Sequence, residues 1–561
     1  MTHPGDAPAV LPGAGGFGVA AVVSGVPRSV WLLSALHLLL LLAWSVSVPI
    51  YRAPDEPNHV DMVRAASGPE GWPAPDERTV NRQVHASLLF AGYSSRDRPH
   101  RRLLEPLQIE DATPRNARPT FDELAPDQPS AEDNQLAQHP PLHYLATSTA
   151  VTVVTSLSRA DWSHDQTVWL MRAVSALLVA PLPLLAFAAT RRLTGHAGAM
   201  AVAAAVVPLA VPQLTHIGST VNNDNLLVLL TGVLTVALVF VATGDTSRRT
   251  AVAVGLLGGA ALLTKGLALF LPAWIGAAYV VAGARRWTGG RAWRPAMGGG
   301  IIALVVTGMV GGWWWLRNLL VHGTVQPSVI EPVPGASPAD LWQFLAFFRT
   351  QMTHRYWGAF GWDEAHLPDG VVAVATSVVI VGIVLAFLRR PATARWWRAD
   401  LFVVLLPVAC LCALVGYGGW RWYTVTGEFA GLQGRYLFPG MVGTAAVLAV
   451  GYGTLAGRHR RFLPIVLLGA AGLLQGMAVH TVLVHFWGPG TSSDLQIAII
   501  ALVVWAPWSS AALGVLALGI AAVGLGCLAA LIADTRHPPP SPRAIWMGQA
   551  TATDARVESN A

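Results

Sequence analysis

Charge is what this 561-residue chain has least of: Asp, Glu, Lys and Arg together make up 12% of it, about half the share of a soluble globular protein. That scarcity excludes an ordinary soluble domain, as does a mean hydropathy of +0.48. Cysteine is also scarce. Cys410, Cys412 and Cys527 all lie inside apolar runs. Residues i and i+2 of a helix do not face each other, so neither a disulfide framework nor a thiolate metal site is supported. The short alternating segments of a membrane β-barrel are missing, and no repeat of fixed period is found. Lysine is nearly missing too: of 37 Lys and Arg residues, Lys265 is the single lysine.

What is present is apolar sequence, 53% of the chain, gathered into runs near the roughly 20 residues that carry a helix across about 30 Å of hydrocarbon. A backbone in hydrocarbon must satisfy its own hydrogen bonds, which leaves helices. Spans are expected at 30–48, 168–189, 197–213, 224–242, 251–264, 267–282, 296–316, 369–388, 400–416, 437–455, 463–485 and 509–532. The fold class is therefore all-α and polytopic, with about 12 spans. The net charge of +6 comes from Arg191-Arg192, Arg248-Arg249, Arg285-Arg286, Arg389-Arg390 and Arg458 to Arg461, which recur after every second run. That is the pattern of cytoplasmic connectors. The basicity is topological, and no nucleic acid is implied. Both termini are expected in the cytoplasm. Residues 1–28 and 534–561, without periodicity, read as disordered tails flanking a membrane domain over 29–533. Ser45-Val46-Ser47 resembles a cleavage site, but the long stretch before the first run favours an uncleaved span.

One large hydrophilic segment interrupts this pattern, a first outer loop at about 49–167. The stretch from Ile50 to Asp165 holds 17 of the chain's 31 acidic residues, and long loops translocate regardless of charge. Its Pro-rich middle, Pro99 to Pro129, reads as irregular. Residues 140–157 are apolar, short and proline-led, and read as a helix at the outer interface; the alternative, a full span, would invert everything after it. The stretch 495–508, with Trp505 and Trp508, fits the outer aromatic belt.

This topology collects the unusual residues at the outer end. Tyr51-Arg52-Ala53-Pro54-Asp55-Glu56-Pro57-Asn58-His59 opens the loop. Asp55 and Glu56, on a backbone stiffened by proline, are candidates for a general base; Asp55 would also serve as a plain helix cap with Pro57 in the first turn. Gln138-His139-Pro140-Pro141-Leu142-His143-Tyr144 closes the loop, and Asn222-Asn223-Asp224-Asn225 heads a later span. His59, His139, Asn223 and Asp224 are candidate substrate-binding or supporting groups. With Asp55 and Glu56 they would admit a divalent cation, although no ligand spacing singles out a metal site. Lys265, between two spans, is a compact point charge where every other basic residue is Arg; a snorkelling anchor is the alternative. Arg317, Arg421 and Arg435, with Arg172 near the outer end of its span, run against the cationic-inside trend and call for an anionic partner such as phosphate. Stacking on tryptophan would account for one or two of them, not for all.

Asp-Glu-Pro-x-His, His-Pro-Pro-Leu-x-Tyr, Asn-Asn-Asp, Trp-Trp-x-x-Arg-Asn and Gln-Gly-Arg-Tyr-Leu-x-Pro occur in that order between Tyr51 and Pro439. Together they resemble a family of uncharacterised bacterial membrane proteins grouped with the GT-C fold glycosyltransferases. The resemblance implies a GT-C-like fold with a large first outer loop, in a bacterial plasma (inner) membrane. It also implies a catalytic acid in that loop, matched by Asp55 with Glu56 beside it. Leu263-Thr264-Lys265-Gly266 resembles a lysine motif near the lipid phosphate. The donor so implied is a polyprenyl-phosphate-linked sugar, and the acceptor a cell-envelope glycan, lipid or protein. No large soluble domain follows the spans to select that acceptor.

The mechanism expected is an inverting displacement with Asp55 as base and Lys265, Arg317, Arg435 and Arg172 holding the donor phosphate. The rival class is a transporter or flippase for a lipid-linked glycan, which needs the same cations and no base. It would be favoured by broken helices in corresponding halves, and the sequence shows no such symmetry. A non-catalytic scaffold predicts no clustering of charge at one end.

Overall fold

A computed structural model describes residues 16–536, apart from 67, 69–70, 75–76, 93–106, 159, 196–197, 289, 328–338, 390–397 and 489–494. The protein is an all-helical membrane bundle with a small folded unit at one end. Nine described helices are long and apolar enough to cross a membrane, or ten when the bent pair Ala199–Ala210 and Pro212–Gly218 counts as one. The difference from twelve lies in two places. The run Gly434–Trp487 has 54 residues, about 80 Å of helix at 1.5 Å per residue and more than twice a hydrocarbon core. Gly457, at φ +52, breaks it, and the 3-10 turn Gly457–Phe462 follows, so it supplies both expected segments. The expected segment 251–264 is a helix of only 15 residues, Arg248–Leu262, and its shortness places Lys265 just beyond its end.

The bent pair kinks by 67°. Pro208 and Pro212 lack an N–H, and Val211 between the two halves is extended, so the ladder cannot continue. Buried Gln475 repairs the damage. Its Nδ-equivalent amide, Nε2, donates to the Leu209 carbonyl (3.0 Å), and its Oε1 accepts from Trp44 Nε1 (2.9 Å). Membrane helices tolerate a break where a side chain satisfies the freed backbone in this way.

The two ends of the bundle differ. At one end Arg191 donates to the Ser24 and Ala21 carbonyls (2.6 Å each), and Asp245 accepts from Phe17 N (2.9 Å). Arg285 pairs with Asp400 at the same end. These contacts dock the short helix Val19–Val23, so the expected tail over 1–28 is structured from residue 16; residues 1–15 and 537–561 lie outside the described residues. At the other end the long loop after the first span folds on itself. Thr79–Asn81 pairs antiparallel with Pro129–Asp133, and Glu56–Ala65, Arg82–Leu89 and Leu142–Ser158 surround a core of Tyr51, Val60, Val84, Phe121 and Tyr144. Asp61 is its polar centre, accepting from Arg78 Nε and Nη2 (2.9 and 2.7 Å), Asn81 N and Asn134 Nδ2. Of the expected irregular stretch, 99–106 lies outside the described residues; the rest carries the 3-10 turn Arg115–Ala117 and the capped helix Phe121–Leu124.

Candidate active site at the loop end of the bundle

The site begins in the turn between the first span and the helix Glu56–Ala65. Tyr51 and Asp55 both hold left-handed backbone (φ 68 and 61), a region in which non-glycine residues are uncommon. Glu56 enforces the turn. Its Oε2 accepts from Tyr51 N (2.8 Å) and Arg172 Nη2 (2.6 Å), and its Oε1 from Arg172 Nε (2.7 Å) and Val221 N (3.1 Å). Arg172 spends its remaining donors on the Ser45, Val48 and Pro49 carbonyls. Both side chains are fully buried. Four bonds to the carboxylate and five from the guanidinium leave neither with capacity for substrate. This corrects two expectations: Glu56 is not placed as a base, and Arg172 is not placed to hold a donor phosphate. The pair clamps the first span to the loop.

Asp55, one residue earlier, is arranged in the opposite way. It occupies the N-cap position yet makes no side-chain cap bond. Its side chain is 23% exposed, and the carboxylate is held loosely, by Gln135 Nε2 at 3.3 Å and Arg435 Nη2 at 3.4 Å. Arg435 is buried, on the 3-10 turn Gly434–Gly440. Gly434 permits this placement, because a Cβ there would lie 2.3 Å from the Met352 carbonyl oxygen and 2.4 Å from Tyr356 N.

Behind Asp55 stands a second carboxylate. Asp224 accepts from Lys265 Nζ at 2.7 Å, and its other oxygen lies 3.7 Å from Arg435 Nε. The Tyr436 ring stacks beneath both cations, 5.0 Å from Lys265 Nζ and 5.5 Å from the Arg435 guanidinium, a cation–π arrangement. Three segments are tied here to the turn over 262–264. Leu142 N donates to the Leu263 carbonyl (3.2 Å), Asn223 Nδ2 to the Thr264 carbonyl (3.5 Å), and Trp315 Nε1 to the Leu262 carbonyl (3.1 Å). The helix bearing Trp315 follows a π-turn, Gly308–Gly312, whose Gly311 packs so tightly on Gly259 that a Cβ would meet its carbonyl oxygen at 2.2 Å.

His59 bonds Tyr144 Oη through Nδ1 (3.0 Å). Burial pushes the His139 and His143 imidazoles down to about 3 and holds His59 well below its usual value. Lys265 adds to the depression at all three, so they are neutral at physiological pH.

The structure thus brings together Asp55, Arg435, Asp224, Lys265, Asn223, His59 and His139. It does not bring in Arg317 and Arg421. Arg317 is exposed, with its guanidinium 5.8 Å from the Trp314 ring centre. Arg421 is exposed on the long helix Arg398–Thr426. Among the described residues neither is ion-paired to the cluster, so the expected ring of four arginines reduces to Arg435. Gln135 was not foreseen, and nothing in its surroundings singles it out in sequence; Tyr436 was signalled only by its place beside Arg435. Among the described residues no group of three or more His, Cys, Asp or Glu side chains is placed to hold a metal ion.

The profile of a family described as "Predicted membrane protein (DUF2142)" matches residues 38–444. No curated protein matches by sequence. Among solved structures, the chain is similar to ArnT from Cupriavidus metallidurans. The apo crystal structure gives a TM-score of 0.42 at 15% identity over 88% of this chain and 75% of that one. The undecaprenyl phosphate-bound form gives 0.42 at 15% identity over 88% and 76%. The Archaeoglobus fulgidus oligosaccharyltransferase, in a complex with Zn and sulfate, gives 0.34 at 14% identity over 62% and 44%.

Proposed function

We propose that this chain, which belongs to the DUF2142 family of predicted membrane proteins, is a membrane glycosyltransferase that moves a sugar from a polyprenyl-phosphate donor to a cell-envelope acceptor. One observation carries the reading. Asp55 is a carboxylate that neither caps its helix nor is sealed by partners, and it is held 3.4 Å from a buried guanidinium whose far side meets the Asp224–Lys265 pair. A base and an anion-binding group therefore lie side by side.

In the proposed reaction Asp55 takes the proton of an acceptor hydroxyl as its oxygen attacks the anomeric carbon. The bond from that carbon to the phosphate oxygen breaks, with inversion. Arg435 and Lys265 stabilise the charge gathering on the departing lipid phosphate. Arg435 Nε and Nη1 make no hydrogen bond within the protein, although Nε faces Asp224 at 3.7 Å. The reaction belongs on the outer face of a bacterial plasma membrane, with both termini cytoplasmic.

One observation favours transport instead: the bent pair Ala199–Ala210 and Pro212–Gly218 leads directly into the Asn222–Asn225 turn, and broken helices line many transport sites. The two readings part at the lipid pool. Intact-lipid analysis of membranes with and without the gene should reveal a polyprenyl-phosphate sugar that accumulates on deletion and is cleared by the wild-type chain but not by Asp55→Asn. Clearance by Asp55→Asn would favour transport.

A further inference from the structure

The phosphate reading employs Lys265, Arg435 and Asp55, but it leaves a group of buried polar atoms beside them without a task. His143 is fully buried, and neither ring nitrogen has a hydrogen-bond partner. His139 Nδ1 and Asn223 Oδ1 are likewise buried and unpartnered. Native proteins pair nearly all such atoms, and a buried polar atom without a partner is costly. The chain around Asn223 and His143 is tied to the turn that carries Lys265. Asn223 precedes Asp224 and donates to the Thr264 carbonyl, while Leu142, next to His143, is tied to Leu263. Both imidazoles lie near enough to Lys265 and Asp224 to feel their charges.

The types of these atoms narrow the ligand. A neutral imidazole offers one N–H donor and one acceptor nitrogen, and the Asn223 oxygen only accepts. A hydroxyl both donates and accepts, and so satisfies either. A carboxylate only accepts: it could take an imidazole N–H, but would leave the acceptor nitrogen and the Asn223 oxygen unpaired and would stand against Asp224. An ammonium only donates, would leave the imidazole N–H unpaired, and would stand beside Lys265. A metal is not supported, because among the described residues no group of three His, Cys, Asp or Glu side chains is placed to hold one.

We propose that His139, His143 and Asn223 form a hydroxyl-binding subsite that selects an uncharged sugar on the lipid phosphate. This rests on the donor reading above and deepens it. The full chain, purified into lipid nanodiscs, is titrated with undecaprenyl phosphate alone and with its conjugates to glucose, mannose, arabinose, glucosamine and glucuronic acid. At least one neutral conjugate should bind about tenfold more tightly than the bare lipid phosphate and than both charged conjugates. His143→Phe should erase that gain while leaving affinity for the bare lipid phosphate within about twofold. His143→Gln, which keeps a donor and an acceptor, should retain part of it and guards against misfolding of the Phe variant. Equal binding of neutral and charged conjugates, or a neutral-sugar gain that survives in His143→Phe, overturns the subsite. Failure of bare undecaprenyl phosphate and every conjugate to bind overturns the donor reading itself, and the subsite with it.

Discussion

Asp55 and Glu56 are adjacent carboxylates in one turn, and the protein treats them in opposite ways. Glu56 is fully buried, takes four short hydrogen bonds and faces an arginine with no donor to spare. Asp55 is partly exposed, with two long contacts and no capping bond. Saturation separates them: a side chain whose hydrogen-bonding capacity is spent inside the protein holds the fold, whereas one left with spare capacity at an accessible position is available for chemistry. The two buried arginines differ likewise, since Arg172 has used every donor, whereas Arg435 Nε and Nη1 make no hydrogen bond.

The largest effect is expected on the sealed side. Glu56→Gln leaves the Arg172 charge buried without its partner and should cost about 3–5 kcal/mol of stability, read as a fall in folded yield and melting temperature in detergent. A melting temperature unchanged from wild type would break the comparison. The double variant Glu56→Gln/Arg172→Met should recover part of the loss, because it removes both charges together.

A smaller effect is expected where Lys265 meets Asp224. Lys265→Ala should weaken undecaprenyl phosphate binding about 10- to 100-fold without preventing membrane insertion. Lys265→Arg should remain impaired, because a planar fork does not replace a compact ammonium. Wild-type affinity in both variants would return Lys265 to the role of an interfacial anchor.

Acid should act through the histidines. Burial and, at His139, the neighbouring Lys265 depress these groups to about 3, whereas the unfolded chain titrates near 6.5. Between those values the unfolded state binds protons that the folded state does not, so stability should fall as pH is lowered from about 6.5 towards 3. His143→Gln should flatten part of that slope in thermal melts taken across the range. The smallest effect is expected for Arg317→Ala and Arg421→Ala. Both residues are exposed, so stability should change by no more than about 0.5 kcal/mol, and lipid-phosphate affinity should stay within about twofold.

Much of this was legible from local pattern. Runs of apolar residues located the spans because a membrane imposes length and composition on each one separately. Lys265 stood out by its singularity, and Asp55 and Arg435 by the company they keep within short motifs. The roles that depend on distant partners were not legible. Glu56 and Arg172 are 116 residues apart, and no local signal says that they meet. Arg317 and Arg435 look equivalent in sequence, both polar residues beside aromatics, yet one lies on an exposed helical face and the other under a glycine turn. Asp224 read as a supporting polar residue at the head of a span; its place between two cations emerges only when the spans are packed. The span count depended on a 15-residue helix and on a run broken at Gly457.

Single-turnover measurement on purified Asp55→Asn tests the central claim most directly. The substitution keeps the size of the side chain but cannot accept a proton. With a turned-over polyprenyl-phosphate sugar as donor, the variant should bind the donor as the wild type does and transfer it about 10²–10⁴-fold more slowly, with an unchanged melting temperature. Transfer at the wild-type rate, or a loss explained entirely by unfolding, would contradict the assignment of Asp55 as the base.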